Sequence, residues 1–113
     1  MALEAAESHA AWAEEEFGST MMSDVRHIRR LKQMAAQLVE HPSATVHGAF
    51  RGERDARAAY EFLENPQVDW RDVQDASHRA CAVRCAEHPF VFVAIDGSSW
   101  TYTDGAKKKA LDP

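Results

Sequence analysis

A line of arginine and glutamine side chains runs through residues 26–37 at helical spacing. Arg26, Arg30, Gln33 and Gln37 follow one another at i, i+4, i+7 and i+11, so a helix places them on one face. Guanidinium groups bind phosphates, and the pattern therefore indicates a face that contacts an anionic partner. The positions beside this line add further cations at His27, Arg29 and Lys32.

The start of this helix strengthens the same interpretation. Ser23 or Asp24 is the predicted N-cap, which puts Arg26 and His27 in the first turn, where the helix dipole disfavours cations by a few tenths of a kcal/mol. Free amides and arginines together form a site for a phosphate. The alternative is a solvated face whose arginines pair with acids of the first helix, and the pattern alone leaves both open.

Composition fits one small protein domain. The chain has 113 residues, 45% of them hydrophobic and 27% charged, with no apolar run of membrane-spanning length and no signal peptide at the N-terminus, so we expect a cytoplasmic protein without membrane contact. The net charge of -5 argues against indiscriminate nucleic-acid binding. The distribution is uneven, however, because six acids and no Lys or Arg precede residue 26, whereas residues 26–32 hold four basic residues and no acid.

Periodicity predicts four helices before residue 89. They run from about Ala2 to Phe17, from Ser23 to His41, from about Glu53 to Glu64, and from Asp69 to near His88. Residues 42–52 are predicted to be a loop that carries His47 and Arg51, and Arg54 follows near the start of the third helix. The predicted buried residues of the second and fourth helices are Val25, Ile28, Leu31, Ala35 and Leu38, and Trp70, Val73, Ala76, Ala80 and Val83.

Four potential metal ligands lie along the fourth helix, at His78, Cys81, Cys85 and His88. On a helix they spread over about 15 Å, whereas zinc needs its ligands within about 2.3 Å of one point. We therefore predict no metal site and expect both cysteines in the core.

The apolar run FVFVAI, residues 90–95, predicts a strand buried on both faces. A turn and a second short strand at residues 100–103 would complete a hairpin. The expected fold is thus mainly α, with a compact four-helix domain in residues 1–88 and a strand or hairpin in residues 89–113.

Several ordered motifs resemble the N-terminal part of bacterial cut-and-paste transposases of the Tn-five type, in the insertion-sequence-four group of DDE transposases. The most specific are Asp24-x-Arg26-x-x-x-Arg30-Leu31 and Ala59-Tyr60-x-Phe62-Leu63-x-Asn65-Pro66-x-Val68. Phe17, Ala36-Gln37-Leu38 and Val93-Ala94-Ile95-Asp96 complete the set. In that family a helical domain binds the terminal inverted repeats of the element, and a ribonuclease-H-like catalytic domain follows.

The resemblance implies that double-stranded DNA at transposon ends is the partner. Arg26 and Arg30 are expected to contact DNA, His27 occupies a position where the family often has a further arginine, and His47, Arg51 and Arg54 lie in segments that also face DNA there. Together with the residues of the basic helix, the predicted DNA-binding set is Arg26, His27, Arg29, Arg30, Gln33, His47, Arg51 and Arg54.

The same resemblance makes Asp96 a vestige of the family's first catalytic aspartate, at the end of the first strand of the sheet. Two-metal phosphoryl transfer needs several carboxylates, and the family's other two lie far downstream. We therefore expect a truncated transposase domain that is not an enzyme and needs no cofactor, with Mg²⁺ required only by a full-length relative. One alternative is a degenerate remnant that self-associates through Phe90–Ile95 without binding DNA specifically, and a small metal-dependent nuclease using Asp96 is another.

Overall fold

Five helices follow one another along the chain in a computed structural model that describes the backbone of residues 2–101 and the side chains of residues 7–101. They are α1 (Ala2–Phe17), α2 (Val25–Glu40), α3 (Val46–Ala49), α4 (Glu53–Glu64) and α5 (Trp70–Ala86). No strand is present within those residues. None of the described helices combines the length and the apolar character that a membrane crossing requires.

Local capping groups set the helix boundaries, which is why four of the five helices match the prediction. The Asp24 and Asp69 carboxylates accept hydrogen bonds from the first turns of α2 and α5. Gly18 follows the end of α1, and its N–H makes an i→i−4 hydrogen bond to the Glu14 carbonyl oxygen at 2.7 Å. A Cβ atom at this position would collide with that oxygen. Gly52 precedes α4 with φ +91°, a conformation that favours glycine.

Helix α3 lies where the sequence predicted only a loop. The Thr45 hydroxyl caps it by accepting a hydrogen bond from the Gly48 N–H at 3.1 Å. Ala49 and Phe50 are each only 3% exposed and pack in the main core. A four-residue helix is too short to show a hydrophobic period, so the pattern could not reveal it.

The core lies between α2, α3 and α4. Its buried members are Leu31, Met34, Ala49, Phe50, Ala59 and Phe62, with Phe17, Met22, Val46, Val68 and Val73 packed around them.

Several residues that were predicted to be buried in α2 and α5 are exposed in the structure. Val25 and Leu38 of α2 are 67% and 43% exposed, whereas Met34 is buried. In α5 the predicted core residues Trp70 and Val83 are largely exposed and only Ala76 is buried. Periodicity fixes the direction of an apolar face only coarsely, and a helix that packs mainly against one neighbour buries a narrow strip of it.

A buried carboxylate ties α5 to α1. Glu16 is 7% exposed and accepts hydrogen bonds from Ser77 Oγ at 2.6 Å and Arg84 Nη1 at 2.9 Å. The hydrogen bond from Ser77 is the main cause that lowers the pKa of Glu16, with Arg84 adding to it and burial opposing both. These contacts hold α5 in place although it buries little apolar surface.

The predicted thiol core is wrong. Cys81 is exposed and Cys85 half-buried on α5, and their Sγ atoms lie 4.0 Å apart. The prediction of burial was wrong because no helix among residues 2–101 covers this face of α5. In the described part of the chain, no three His, Cys, Asp or Glu side chains converge in a group that could hold a metal ion.

The predicted C-terminal hairpin can be followed only to Thr101, and its remainder lies outside the described residues. Up to that point there is no strand, and Phe92 and Ile95 are 93% and 92% exposed rather than buried on both faces. A strand needs neighbours for its backbone hydrogen bonds, and residues 2–101 supply none. Asp96 is therefore an exposed residue in an irregular segment.

Candidate DNA interface

The line of polar residues on α2 forms a ridge between α1 and α4. Helix α4 runs antiparallel to α2. This is shown at one end by Gln37, near the end of α2, which donates to Asp55 at the start of α4 at 3.1 Å. At the other end His27 lies next to Asn65, just after α4. We call Arg26, Arg30, Gln33 and Gln37 the α2 ridge. It lies on a different face of α2 from the buried Leu31, and the buried Met34, four residues after Arg30, lies at its edge.

The N-terminus of α2 is capped by a carboxylate, so its amides are less free than the sequence suggested. Asp24 Oδ1 accepts a hydrogen bond from the Arg26 N–H at 2.9 Å, and the Arg26 guanidinium reaches both oxygens of the same carboxylate at 3.1 and 2.9 Å. The Arg26 guanidinium is the main cause that lowers the pKa of Asp24 to about 2. Arg26 remains 84% exposed, so a phosphate can replace Asp24 as its partner.

A groove of about 440 Å³ separates the start of α2 from the end of α4. Arg26, His27 and Arg30 form one wall, and Glu61 and Asn65 contribute polar groups to the other. Asn65 Nδ2 lies 3.3 Å from His27 Nε2, a distance at which the amide donates to an unprotonated ring nitrogen. His27 is thus held against α4 and is less available to a ligand than Arg26 or Arg30.

A second groove of about 370 Å³ lies on the other side of the ridge, between α1 and α2. Arg29, Lys32 and Gln33 line it together with Glu14 of α1. Lys32 Nζ donates to Glu14 Oε2 at 2.7 Å, so one acid of α1 pairs with the basic helix. It does so through a lysine, whereas the predicted pairing involved the arginines. The acidic first helix therefore neutralises one cation at the edge of the ridge.

The cations after α2 do not all lie on this side of the molecule. Arg54 is exposed in the first turn of α4 and, with Ala58, Glu61 and Asn65, follows the i, i+4, i+7, i+11 line that forms the groove wall. His47 instead packs edge-on against Tyr60 with ring centroids 5.9 Å apart, and Tyr60 lies on another face of α4 from that line. Arg51 is exposed in the link between α3 and α4.

The structure thus brings part of the predicted set together. Arg26, Arg30 and Gln33 lie on the ridge and Arg29 lies beside it. Arg54 lies at the start of α4, near the Gln37 end of the ridge, and does not line the groove. Within residues 7–101, whose side chains are described, no ion pair involves Arg29, Arg30, Arg51 or Arg54. Within that part of the chain, these four arginines lack a salt-bridge partner, and only Arg30 shares the groove with an acid, Glu61.

Sequence reasoning missed two groove residues, Glu61 and Asn65. Their spacing from Arg54 on the predicted helix was visible, but nothing local showed that this face of α4 lies beside α2. Glu61 places a negative charge opposite Arg30, which disfavours an anionic ligand deep in the groove.

The dimensions of the ridge suit a duplex. Arg26 and Gln37 are 11 residues apart, which corresponds to about 16 Å along the helix axis, and the major groove of B-DNA is about 12 Å wide. Along this length the cations Arg26 and Arg30 lie at one end, Gln33 near the centre and Gln37 at the other end. The fold and the ridge together define a small helical domain with a cationic face.

Comparison with known protein families agrees with this description. Residues 9–68 match the family described as transposase DNA-binding, and this range covers more than half of the chain. The protein belongs to that family, and DNA is its partner. The match includes every predicted DNA-binding residue and ends before α5. No solved structure matches the chain.

Proposed function

We propose that this chain binds the terminal inverted repeats of a transposable element in a sequence-specific way, and that it is the DNA-binding domain of a Tn-five-like transposase. The observation that carries the proposal is the α2 ridge. Its cations Arg26 and Arg30 lie on one face of α2, in a line of polar residues about 16 Å long, inside the segment that matches the family.

Some of these residues would contact DNA phosphates, and one would contact a base. Phosphates on one side of the DNA major groove would be held by Arg26 and Arg30, at one end of the ridge. Phosphates on the other side would be held by Arg54, at the other end. Gln33 is exposed between them, and a glutamine amide can pair with an adenine through two hydrogen bonds. Gln37 is engaged by Asp55 and would position α4 rather than read a base.

Fluorescence anisotropy tests the proposal directly. A labelled duplex from the inverted repeat that flanks the source gene is compared with a scrambled duplex at several salt concentrations. We expect tighter binding to the repeat and a loss of affinity with salt, because each phosphate contact contributes about 0.9 to the slope of log K against log salt. Equal affinity for both duplexes, or no binding, would refute the proposal.

Charge variants separate the predicted contacts from general electrostatics. The double variant Arg26→Ala/Arg30→Ala should lower the salt slope by about two and abolish measurable preference for the repeat. Arg71→Ala is the matched control, because it removes one exposed arginine from α5, outside the family match. If Arg71→Ala weakened binding as much as Arg30→Ala alone, the ridge would not be the contact surface.

Gln33→Ala tests base reading. Loss of a two-bonded amide contact should reduce discrimination by about 1–3 kcal/mol at one base pair while leaving the salt slope unchanged. A change in slope without a change in preference would assign Gln33 to the phosphates instead.

The proposal assigns binding alone, without strand transfer, to these 113 residues. A supercoiled plasmid that carries the repeat, incubated with the chain and Mg²⁺, should remain uncut. Nicking that disappears in Asp96→Ala would overturn this part and favour a nuclease.

A further inference from the structure

The side of α2 opposite the ridge carries an open apolar groove of about 840 Å³. Helices α1, α2, α4 and α5 all contribute to it, and five of its large apolar side chains are at least 40% exposed: Trp12, Leu38, Val39, Leu63 and Trp70. An exposed apolar surface formed by four elements is typical of a docking site.

The chain displays a second apolar surface, the segment Phe90–Ile95, which we call the apolar tail. Phe92 and Ile95 are more than 90% exposed and Phe90 is 70% exposed. The rings of Phe90 and Phe92 meet edge-on with centroids 5.7 Å apart, so alternate residues of the tail present one continuous apolar face. The molecule therefore exposes both an apolar groove and a segment that could fill one.

The chain between α5 and Phe90 is too short for the whole apolar tail to fill the groove of its own molecule. The α5 residues that line the groove are Trp70, Val73 and Gln74, and the 13 residues from Val73 to Ala86 carry the chain about 20 Å away. Four extended residues, from Glu87 to Phe90, cover at most about 14 Å on the way back. Phe90 therefore falls short of the groove of its own molecule. The later residues Phe92 and Ile95 have enough chain to reach it, but in the structure they are more than 90% exposed and do not occupy it.

We propose that the occupant of the groove is the apolar tail of a second copy of this chain, and that two copies exchange tails reciprocally. Phe90 and Phe92, on one face of the tail, would each remove roughly 150 Å² from water. Two exchanged tails then bury roughly 600 Å², and the groove walls that they cover add a similar area, which brings the interface to about 1,200 Å², the lower end of the range typical of a stable interface.

This association is independent of the proposed DNA binding. The groove and the ridge lie on opposite sides of α2, so a dimer leaves both ridges open. Salt also distinguishes the two interactions. Apolar docking between copies of net charge -5 is maintained or strengthened by salt, whereas binding to DNA weakens.

Sedimentation velocity of the whole chain over two decades of concentration, at low and high salt, tests the proposal. We expect a monomer–dimer equilibrium that is at least as tight at high salt. Trp12 and Trp70 line the groove, so their fluorescence should shift to shorter wavelength as the dimer forms. A monomer at every concentration would overturn the proposal.

Two variants address the two surfaces separately. Phe92→Asp changes the tail and Leu63→Asp changes the groove at a residue that is 61% exposed, so neither should disturb folding, which far-UV circular dichroism checks. Each should weaken dimerisation about tenfold or more. The control is Val83→Asp, which places the same charge at a 66% exposed apolar residue of α5 that does not line the groove, and it should dimerise normally.

Mixing the variants completes the test. The Leu63→Asp chain keeps an intact tail and the Phe92→Asp chain an intact groove, so the mixture should form heterodimers at concentrations where each variant alone is monomeric. If Leu63→Asp dimerised like the wild type, the tails would be pairing with each other as strands and the groove would not be their site. Absence of heterodimers would equally overturn the exchange.

Discussion

Removal of the Glu16 carboxylate should loosen the attachment of α5 to α1. Glu16 is nearly buried at the end of α1 and accepts hydrogen bonds from Ser77 and Arg84, both on α5. Few apolar contacts share this task, because Ala76 is the only buried residue of α5. The substitution Glu16→Ala therefore tests whether polar contacts hold the last helix in place.

The expected loss of stability in Glu16→Ala can be worked out from the two hydrogen-bond partners of Glu16, Ser77 and Arg84. A hydrogen bond to an ionised group contributes about 1.5–3 kcal/mol, and the Ser77 hydroxyl is partly buried beside the carboxylate. The Arg84 side chain is 44% exposed, so water screens its ion pair and it adds little. We expect Glu16→Ala to lower the free energy of unfolding by about 2 kcal/mol, which corresponds to a fall in Tm of about 10 °C.

Thermal and urea unfolding followed by circular dichroism at several pH values measure this effect. The pKa of Glu16 is lowered from its ordinary value of 4.5, chiefly by the hydrogen bond from Ser77. A lowered pKa means that the stabilisation by the charge is complete above 4.5 and disappears as the pH falls through the value in the folded protein. The difference in stability between wild type and Glu16→Gln should shrink over that acid range.

Glu15→Gln is the matched control. Its carboxylate lies 3.5 Å from the same Arg84 but is 62% exposed, so its loss should change stability by less than about 0.5 kcal/mol. The reasoning would be refuted if Glu16→Ala were as stable as Glu15→Gln at neutral pH, or if the difference for Glu16→Gln did not respond to acid.

Other regions of the chain give three further predictions. Gly52→Ala should cost about 1–2 kcal/mol in urea unfolding, because an alanine at φ +91° is strained although no atom lies within 4 Å of its Cβ; an unchanged midpoint would contradict this. Phe50→Ala should lose about 3–5 kcal/mol in thermal unfolding because the ring is 3% exposed in the core, and a loss below about 1 kcal/mol would mean that α3 is not anchored there. Glu14→Gln releases Lys32 from its ion pair, so the anisotropy assay should show tighter DNA binding and a salt slope steeper by about one; unchanged binding would place Lys32 outside the interface.

The final prediction concerns the pH at which the Asp24 N-cap stops stabilising α2. Because the Arg26 guanidinium lowers the pKa of Asp24 to about 2, the N-cap stays ionised through most acid conditions. Its contribution to stability is complete above 3.8, the ordinary value, and is lost as the pH falls through about 2. The helicity of wild type and Asp24→Asn, followed by circular dichroism, should converge only in that lowest range, and convergence already at pH 4 would argue against the Arg26 contact.

The candidate interface was predictable where it depends on one helix. The i, i+4 spacing of Arg26 and Arg30 fixes a common face as soon as the segment is helical, and the structure places Gln33 on it as expected. Arg54 lies near the other end of the ridge only because α4 packs antiparallel beside α2. His47, equally cationic when protonated and equally exposed, packs instead against Tyr60 on another face.

Charge compensation was only partly predictable. The uneven distribution of acids and bases indicated pairing between α1 and α2, and the Lys32–Glu14 contact is one such pair, although it involves a lysine rather than an arginine. The same pattern gave no reason to expect Glu16 to turn to Arg84, 68 residues further along the chain. Such pairs depend on which helices meet, and net charge does not record that.

The sequence by itself determined the boundaries of four helices and the cationic face of α2, and it narrowed the N-cap of α2 to Ser23 or Asp24, because each depends on hydrogen bonds and spacings within a few residues. The tertiary structure alone decided which arginines form ion pairs among the described residues, that Met34 and Phe50 rather than Val25 and Leu38 fill the core, and that an apolar groove lies open behind the ridge. Those properties arise from contacts between segments far apart in the chain, whose relative positions no local pattern specifies.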